Sequence, residues 1–327
     1  MFDTPLSRRQ FGLLSAAALA GGPAIAQSRP DVAKILVPFP AGGTTDLVAR
    51  LLADQLRGDI ADVVVVENKT GAAGRIAISA LKQAPADGST LMLHALGIQM
   101  MYPHTLRQLG YDPFADVAPI SITNRVDTCF AVGPAVPAPV RTLEDYFAWA
   151  KGDPKRGTFA SAGSGTPQHF MPIAMGQQVK VELTPVHYRS STVAYPDVLG
   201  GMVPAISTPL NDAMQQLSTG RLRLLATTGD RRNSLTPDVP TFAEQGFAQL
   251  VDSDFFAVFV HGSTSAPLQE KLSAAVRKAL AAPALVAGFH KAYIEPMPTT
   301  PAETLRLARA GYERNGRMVK DVGYQPE

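Results

Sequence analysis

The feature that most constrains the fold is a repeated alternation of short apolar runs, glycine-rich turns and helical patterns. In VPFPAGGTTDLVARLLADQL, residues 37–56, two prolines close an apolar run and a helical pattern starts directly after the glycines. The apolar residues of this pattern share one helical face: Leu47, Val48, Leu51, Leu52 and Leu56. Thr44 is the predicted N-cap, and Asp46 falls in the first turn, where its charge suits the helix dipole.

The same alternation continues along the chain. Buried strands are predicted for the short apolar runs at 35–39, 62–67, 88–95, 127–134, 221–229 and 254–260. Helices are predicted for the patterns at 142–151, with Thr142 as the N-cap, and at 266–283 and 301–323. A glycine-rich turn and a helix are predicted for 68–84, and a strand, a glycine-rich turn and a helix for 157–179. Strand–helix units in this rhythm indicate an α/β fold with mainly parallel strands. A length of 327 residues favours two domains.

The N-terminal segment has the pattern of an export signal. Arg8 and Arg9 precede residues 11–26, which carry no charge and are too few for a comfortable bilayer span of about 20 residues. The run ends in Ala-Ile-Ala, a small-residue cleavage pattern. We therefore predict a twin-arginine signal peptide at 1–26, cleaved after Ala26, with an ordinary secretory signal as the alternative. The mature protein is expected in the periplasm.

Several classes of function lack their sequence signature. The formal net charge of +2, with no long basic run, argues against a nucleic-acid partner. Cys129 is the single cysteine, so one chain can form neither a disulfide nor a cysteine-based metal site. Glycine motifs for dinucleotides or NTP do not occur, and the six histidines form no zinc-type pair. Glycines do not flank Ser161 or Ser164 at the spacing of a nucleophile elbow. We therefore predict no cofactor, no metal and no catalytic activity.

Two glycine-rich turns, at 39–46 and 161–169, are the candidate binding elements. Each is expected to direct its own N–H groups and the N-terminus of the following helix at one spot, which is an anion site that needs no lysine. One such turn could equally serve only to reverse the chain tightly. Two of them on separate α/β units favour a ligand shared between domains. Asp46 is expected to brace its loop rather than contact an anion, because like charges repel.

A series of segments resembles the Bug-type periplasmic solute receptors of tripartite tricarboxylate transporters. They run from about Pro30 to the C-terminus: PFPAGGTTDLVAR, VVVENKTGAAG, APADGSTL, YDPFADVAPIS, FASAGSGTPQH, PDVLGG, RLRLLATTGDRR and PDVPTFAEQGF. The resemblance implies a two-domain periplasmic-binding-protein fold of the Venus flytrap kind, in which each domain is a mostly parallel sheet flanked by helices. It places domain 1 at 27–127 and 252–327, and domain 2 at 128–251.

The resemblance also implies a function. Receptors of this family bind carboxylates and some other small metabolites, and they deliver them to membrane permease subunits or, in some cases, to a sensor. We therefore expect a monomeric receptor for a small organic carboxylate, with a sensor component or a periplasmic enzyme as the less favoured alternatives. The expected ligand-binding residues come from both turns and two further positions: Phe39, Ala41, Gly42, Gly43, Thr44, Thr45, Asp46, Ser161, Gly163, Ser164, Gly165, Thr166, His169, Tyr188 and Thr208.

The sequence departs from the family pattern at several places. Pro204 and Thr208 stand where relatives usually have aspartates. Ser190 replaces a usual glycine, and Phe255 or Phe256 replaces a frequent tryptophan. Because both turns then offer N–H groups and hydroxyls without acidic groups, we expect an amine-bearing ligand to bind less well than its uncharged analogue.

Overall fold

The computed structural model describes residues 30–229, 231–250, 253–321, 323–324 and 326. The predicted signal peptide and its cleavage site lie outside these residues, so both stay predictions.

The strands and helices alternate along the chain as the sequence predicts. The strands are β1 (Val32–Val37), β2 (Val63–Asn68), β3 (Thr90–Ala95), β4 (Val117–Val126), β5 (Thr128–Val132), β6 (Thr158–Ala162), β7 (Thr184–Tyr188), β8 (Ala205–Pro209), β9 (Arg223–Thr227) and β10 (Asp254–His261). The α-helices are α1 (Thr44–Leu56), α2 (Arg75–Gln83), α3 (Gly97–Met100), α4 (Tyr102–Thr105), α5 (Leu143–Ala150), α6 (Pro167–Val179), α7 (Ser191–Gly200), α8 (Leu210–Leu217), α9 (Ala266–Leu280), α10 (Pro283–Lys291) and α11 (Pro301–Asp321). Our predictions did not include β4, β7, β8, α3, α4, α7, α8 or α10.

Two five-stranded sheets share one topology. The strand order is β2-β1-β3-β10-β4 in sheet 1 and β7-β6-β8-β5-β9 in sheet 2. One strand in each sheet runs against the other four: β10 pairs antiparallel with β3 and β4, and β5 pairs antiparallel with β8 and β9. The remaining pairs are parallel. The prediction of mostly parallel sheets flanked by helices is confirmed.

The chain passes between the sheets twice. It crosses from β4 to β5 through Asp127 and returns between Thr227, which ends β9, and Asp254, which begins β10. Asp127 is buried, and its carboxylate accepts hydrogen bonds from the side chains of Asn233 and Ser253, which both belong to the return segment. These hydrogen bonds therefore join the first crossing to the return segment.

Apolar cores cover both faces of both sheets. In β1, Ile35 packs with Leu52 of α1 on one face, and Leu36 packs with Ile78 of α2 on the other. Burial on both faces explains why the strands read as continuous apolar runs rather than alternating ones. The carboxyl ends of β1 and β6 carry the two glycine-rich turns, and α1 and α6 follow them.

Of two predicted helix N-caps, one is confirmed and the other is wrong. The Thr142 hydroxyl accepts a hydrogen bond from the Asp145 N–H, and the Asp145 carboxylate accepts one from the Thr142 N–H, so the predicted cap of α5 is a complete capping box. The prediction of Thr44 as an N-cap is wrong. Gly43 caps α1 without a side-chain bond, and Thr44 is the first helical residue, with its hydroxyl directed elsewhere.

Among the described helices, no single one is long and apolar enough to span a membrane. Taken together, α9 and α10 reach that length and composition, with a bend of 66° between them. Both helices contribute to the core of sheet 1, for example through Val276 and Phe289.

Candidate ligand-binding site

The first glycine-rich turn is held by a buried carboxylate, Asp46, which is 3% exposed. One of its oxygens accepts hydrogen bonds from the Gly42 N–H at 2.9 Å and from Arg50 Nε at 2.8 Å. The other accepts from Arg50 Nη2 and Asn68 Nδ2, each at 2.9 Å. Asn68 Nδ2 also donates to the Phe39 carbonyl. Asp46 therefore joins both ends of the turn to β2 and to the second turn of α1.

Burial by itself would raise the pKa of the Asp46 carboxyl. Hydrogen bonds from Arg50, Gly42 and Asn68, together with the charge of Arg50, outweigh burial and hold this pKa below its usual value. The carboxylate is charged at neutral pH, and its oxygens are occupied by the chain itself. These are the contacts of a bracing residue.

The other residues of the first turn differ in exposure. Ala41 and Gly42 are exposed, Phe39 and Gly43 are half-buried, and Thr45 is buried. Gly42 has a φ of +86°, a left-handed conformation that favours glycine. The Phe39 ring lies 6.0 Å from the ring of buried His94, measured between centroids, so it forms part of the wall beside the turn.

The second turn uses its glycine N–H groups internally. The Gly163 N–H donates to the Tyr188 carbonyl at 3.0 Å, and the Gly165 N–H donates to His169 Nδ1 at 3.2 Å. The Thr166 hydroxyl donates to the Gly163 carbonyl. The expectation that glycine N–H groups point at the ligand is therefore wrong for these two, and for Gly42 in the first turn. In the first turn of α6, Pro167 has no N–H and the His169 N–H donates to the Thr166 carbonyl at 3.0 Å, so the first turn of α1 offers more N–H groups without an intrahelical acceptor.

The polar side chains around the second turn lie at different depths. His169 is 4% exposed, and its ring meets that of His187 edge-on at 4.7 Å between centroids. Ser161 is fully buried, and its hydroxyl has no hydrogen-bond partner among the described residues. Ser164 and Thr166 are half-buried. Thr166 and Ser164 are thus the hydroxyls of this turn nearest to solvent.

Tyr188 and Thr208 both bond to α7. The Tyr188 hydroxyl donates to Asp197 Oδ2 at 2.7 Å, and burial together with this carboxylate raises the pKa of Tyr188 to about 12. Thr208 is fully buried, and its hydroxyl donates to Ser191 Oγ at 2.8 Å. In this structure both hydroxyls serve to fix α7 against sheet 2.

Helix α1 of the first half and helix α8 of the second half contact each other directly at Thr44. Its hydroxyl donates to Asp212 Oδ1 at 2.7 Å and accepts from Asn211 Nδ2 at 2.9 Å. A second contact joins the Thr105 hydroxyl of α4 to the Gly165 carbonyl at 3.4 Å. Both predicted turns therefore contact the opposite half of the molecule.

Asp212 is the residue at this junction that sequence analysis missed. Its carboxylate accepts hydrogen bonds from Thr44, from Ser191 and from Asn211. These donors lie in the first turns of α1, α7 and α8, so three helix N-termini converge on one carboxylate. Burial raises the pKa of Asp212, and the hydrogen bonds offset this only in part. Because the Asp212 carboxylate contacts Thr44, the expectation that the turns lack acidic groups is wrong. The argument that an amine-bearing ligand binds less well than its uncharged analogue therefore no longer holds.

The signal that could have revealed Asp212 is weak. It is an aspartate in the first turn of α8, a common position for acidic residues in any helix. Neither β8 nor α8 was predicted, since LNDAMQQL is short and follows a run with two prolines.

Two cavities flank the crossings between the sheets. One of about 590 Å³ lies between α6 and α11, with Met171 and Met318 in its wall and Asp254 at its edge. The other, of about 810 Å³, is lined by Arg125 and Asn211 together with residues 231–235 and 293–297. None of the predicted site residues lines either cavity. The junction at Thr44 instead lies where the two halves are already in contact.

Within the described part of the chain, no three His, Cys, Asp or Glu side chains come together as a metal cluster. The prediction of no metal or cofactor is not tested by this observation.

Comparison with known proteins identifies the family. Residues 48–324 match the model described as "Tripartite tricarboxylate transporter family receptor". The chain belongs to this family. The protein BugT from Bordetella pertussis is 29% identical to the chain over 319 residues, which are 95% of this chain and 96% of BugT.

Solved structures of similar proteins have the same fold. The periplasmic binding protein BugD superposes with a TM-score of 0.81 and 25% identity, over 92% of this chain and 99% of BugD. The R. palustris protein Rpa4515, solved with adipate, superposes with a TM-score of 0.82 and 27% identity, over 90% of this chain and 98% of that one. The resemblance to Bug-type receptors and the two-domain α/β fold of periplasmic binding proteins are thereby confirmed. The tripartite tricarboxylate transporter receptors are solute-binding proteins. Relatives such as BugD are periplasmic binding proteins.

Proposed function

We propose that this receptor captures a small organic carboxylate between its two halves and delivers it to permease subunits of a tripartite tricarboxylate transporter. The observation that carries the proposal is that each glycine-rich turn contacts the opposite half of the molecule, through Thr44 with Asp212 and through Gly165 with Thr105. First-turn N–H groups and hydroxyls are donors suited to a carboxylate, and they release it readily because no lysine or arginine holds it. The adipate bound by Rpa4515 supports the ligand class.

The proposed domains are 27–127 with 252–327, and 128–251. Support comes from the strands, because sheet 1 takes its strands from 32–126 and 254–261, and sheet 2 from 128–227. The crossing at Asp127, braced by Asn233 and Ser253, is the proposed hinge. A ligand that contacts both halves favours the closed state by its differential affinity for that state.

The proposed role needs no chemistry on the ligand. The receptor is proposed to act as a monomer, to bind no cofactor and to catalyse no reaction. Its ligand-binding residues are proposed to be those of the two turns, with Asp46 acting through the loop that it braces.

A ligand screen combined with small-angle scattering tests the function. We expect thermal-shift stabilisation by small carboxylates, with succinate, glutarate and adipate among the probes, and a smaller radius of gyration at saturation with the best of them. Sugars and simple cations form the comparison set. Stabilisation by sugars or cations alone, or no compaction at saturation, would contradict the proposal.

Export is proposed to use the twin-arginine route, with cleavage after Ala26. Replacing Arg8 and Arg9 together by lysine keeps the charge but removes the arginine pair. We expect the precursor to accumulate in the cytoplasm and the periplasmic protein to fall at least about tenfold, measured by fractionation and immunoblotting. Undiminished periplasmic protein would show that an ordinary secretory signal serves instead.

A further inference from the structure

The carboxylate of Asp212 occupies a position built for an anion. It accepts from the Thr44 hydroxyl at 2.7 Å and from Asn211 Nδ2 at 3.1 Å, and the Ser191 hydroxyl is its third donor. All three donors stand in the first turns of helices of at least eight residues, α1, α7 and α8. Side chains from the first turns of three helices thus meet at one carboxylate that belongs to the chain.

No cation compensates this carboxylate directly. Among the described residues, no lysine, arginine or histidine contributes to its electrostatic environment, which consists of hydroxyl and amide donors. Its titratable neighbours are Cys129 of β5 and Tyr195 of α7, and neither carries positive charge. The junction therefore already holds one carboxyl group whose charged form is stabilised only by neutral donors.

Resting on the function proposed above, we propose that Asp212 is a specificity determinant that restricts the ligand to a single carboxylate. The single Thr44 hydroxyl proton is already donated to Asp212, so a second ligand carboxylate would have to displace Asp212 as its acceptor or bind the N–H groups beside it, roughly 5–6 Å from the Asp212 carboxylate, two hydrogen-bond lengths. Repulsion at that distance is strong between partly buried charges. The ligand carboxylate accordingly binds away from this junction, and the end that meets α1 and α8 is uncharged.

Matched pairs of ligands that differ in one charge test this assignment. The pairs are succinate and succinamate, glutarate and glutaramate, and adipate and adipamate, in which an amide of nearly the same shape replaces one carboxylate. Isothermal titration calorimetry at pH 7.5 gives the ratio of the two Kd values for each pair. The variants are Asp212→Asn and Asp212→Ser, with Asp54→Asn as the control, since Asp54 lies on the exposed face of α1 with its side chain 61% exposed.

In the wild-type protein we expect the monoamide to bind more tightly than the dicarboxylate. In both Asp212 variants we expect the ratio to move toward the dicarboxylate by about tenfold or more, and in the control by less than about twofold. Thermal melts establish that each variant is folded before titration. A ratio that is the same in wild type and in both Asp212 variants, or an equal shift in the control, would overturn the inference while leaving the proposed function intact. If no pair binds to any folded variant, the proposed function fails together with it.

Discussion

Replacing Asp46 by alanine is expected to lower the affinity for the carboxylate ligand by about tenfold or more and the free energy of unfolding by about 1.5–3 kcal/mol. The reason is that the Gly42 N–H and the Asn68 amide lose their acceptor, and Arg50 loses its partner. The stability figure is kept low because the Arg50 side chain is 52% exposed and water replaces part of its interaction. The affinity falls because the loop must then be ordered at the moment of binding.

The matched control is Asp54→Ala on the same helix. Asp54 pairs with Arg57 at 3.2 Å with both side chains more than half exposed, so its loss is expected to change stability by less than about 1 kcal/mol. Urea unfolding and calorimetry with the best carboxylate from the screen give both quantities. Because the folded pKa of Asp46 is lowered, its contribution is present above the unfolded-state pKa and is lost as the pH falls. Equal effects of the two substitutions would contradict the bracing role.

Replacing Asp254 by asparagine is expected to raise the free energy of unfolding at pH 7.5 by about 2 kcal/mol and to remove a pH dependence. Burial at the start of β10 raises the pKa of Asp254 from 3.8 to about 6, although the N–H groups of Phe255 and Gly97 lower it in part. The raised folded pKa means that ionisation is harder in the folded protein than in the unfolded chain. Stability from this group is therefore greatest below about pH 4, falls as the pH rises to about 6, and is then constant.

The measurement is the difference in unfolding free energy between Asp254→Asn and wild type at pH 4.5, 5.5, 6.5 and 7.5. The difference isolates Asp254 from the other carboxylates that titrate in this range. Asparagine keeps an oxygen that accepts from both N–H groups, so the start of α3 is expected to remain in place. Asp54→Asn is again the control, with an expected difference that does not change with pH. A difference for Asp254→Asn that is equally flat would show that this carboxyl is not desolvated in the folded protein.

Local pattern was sufficient for the elements that position the first turn. The apolar spacing from Leu47 to Leu56 predicted α1. The bracing role of Asp46 was predicted from repulsion of an anionic ligand, and its partners Gly42 and Arg50 lie within four residues of it. The capping box at Thr142 and Asp145 is likewise contained in four residues. Interactions of this range are encoded by spacing, which is read directly from the chain.

The sequence by itself thus determined the α/β class, the two glycine-rich turns and the helices whose N-termini are proposed to bind an anion. Only the tertiary structure decided which of the turn's donors stay free, since the Gly163 N–H is taken by Tyr188, on the neighbouring strand. It also decided that Thr44 meets Asp212, a residue 168 positions further along the chain. A contact at that separation depends on how two sheets of the same topology are placed against each other. Residue spacing along the chain does not predict that placement. The carboxylate at the junction is therefore visible only in the tertiary structure.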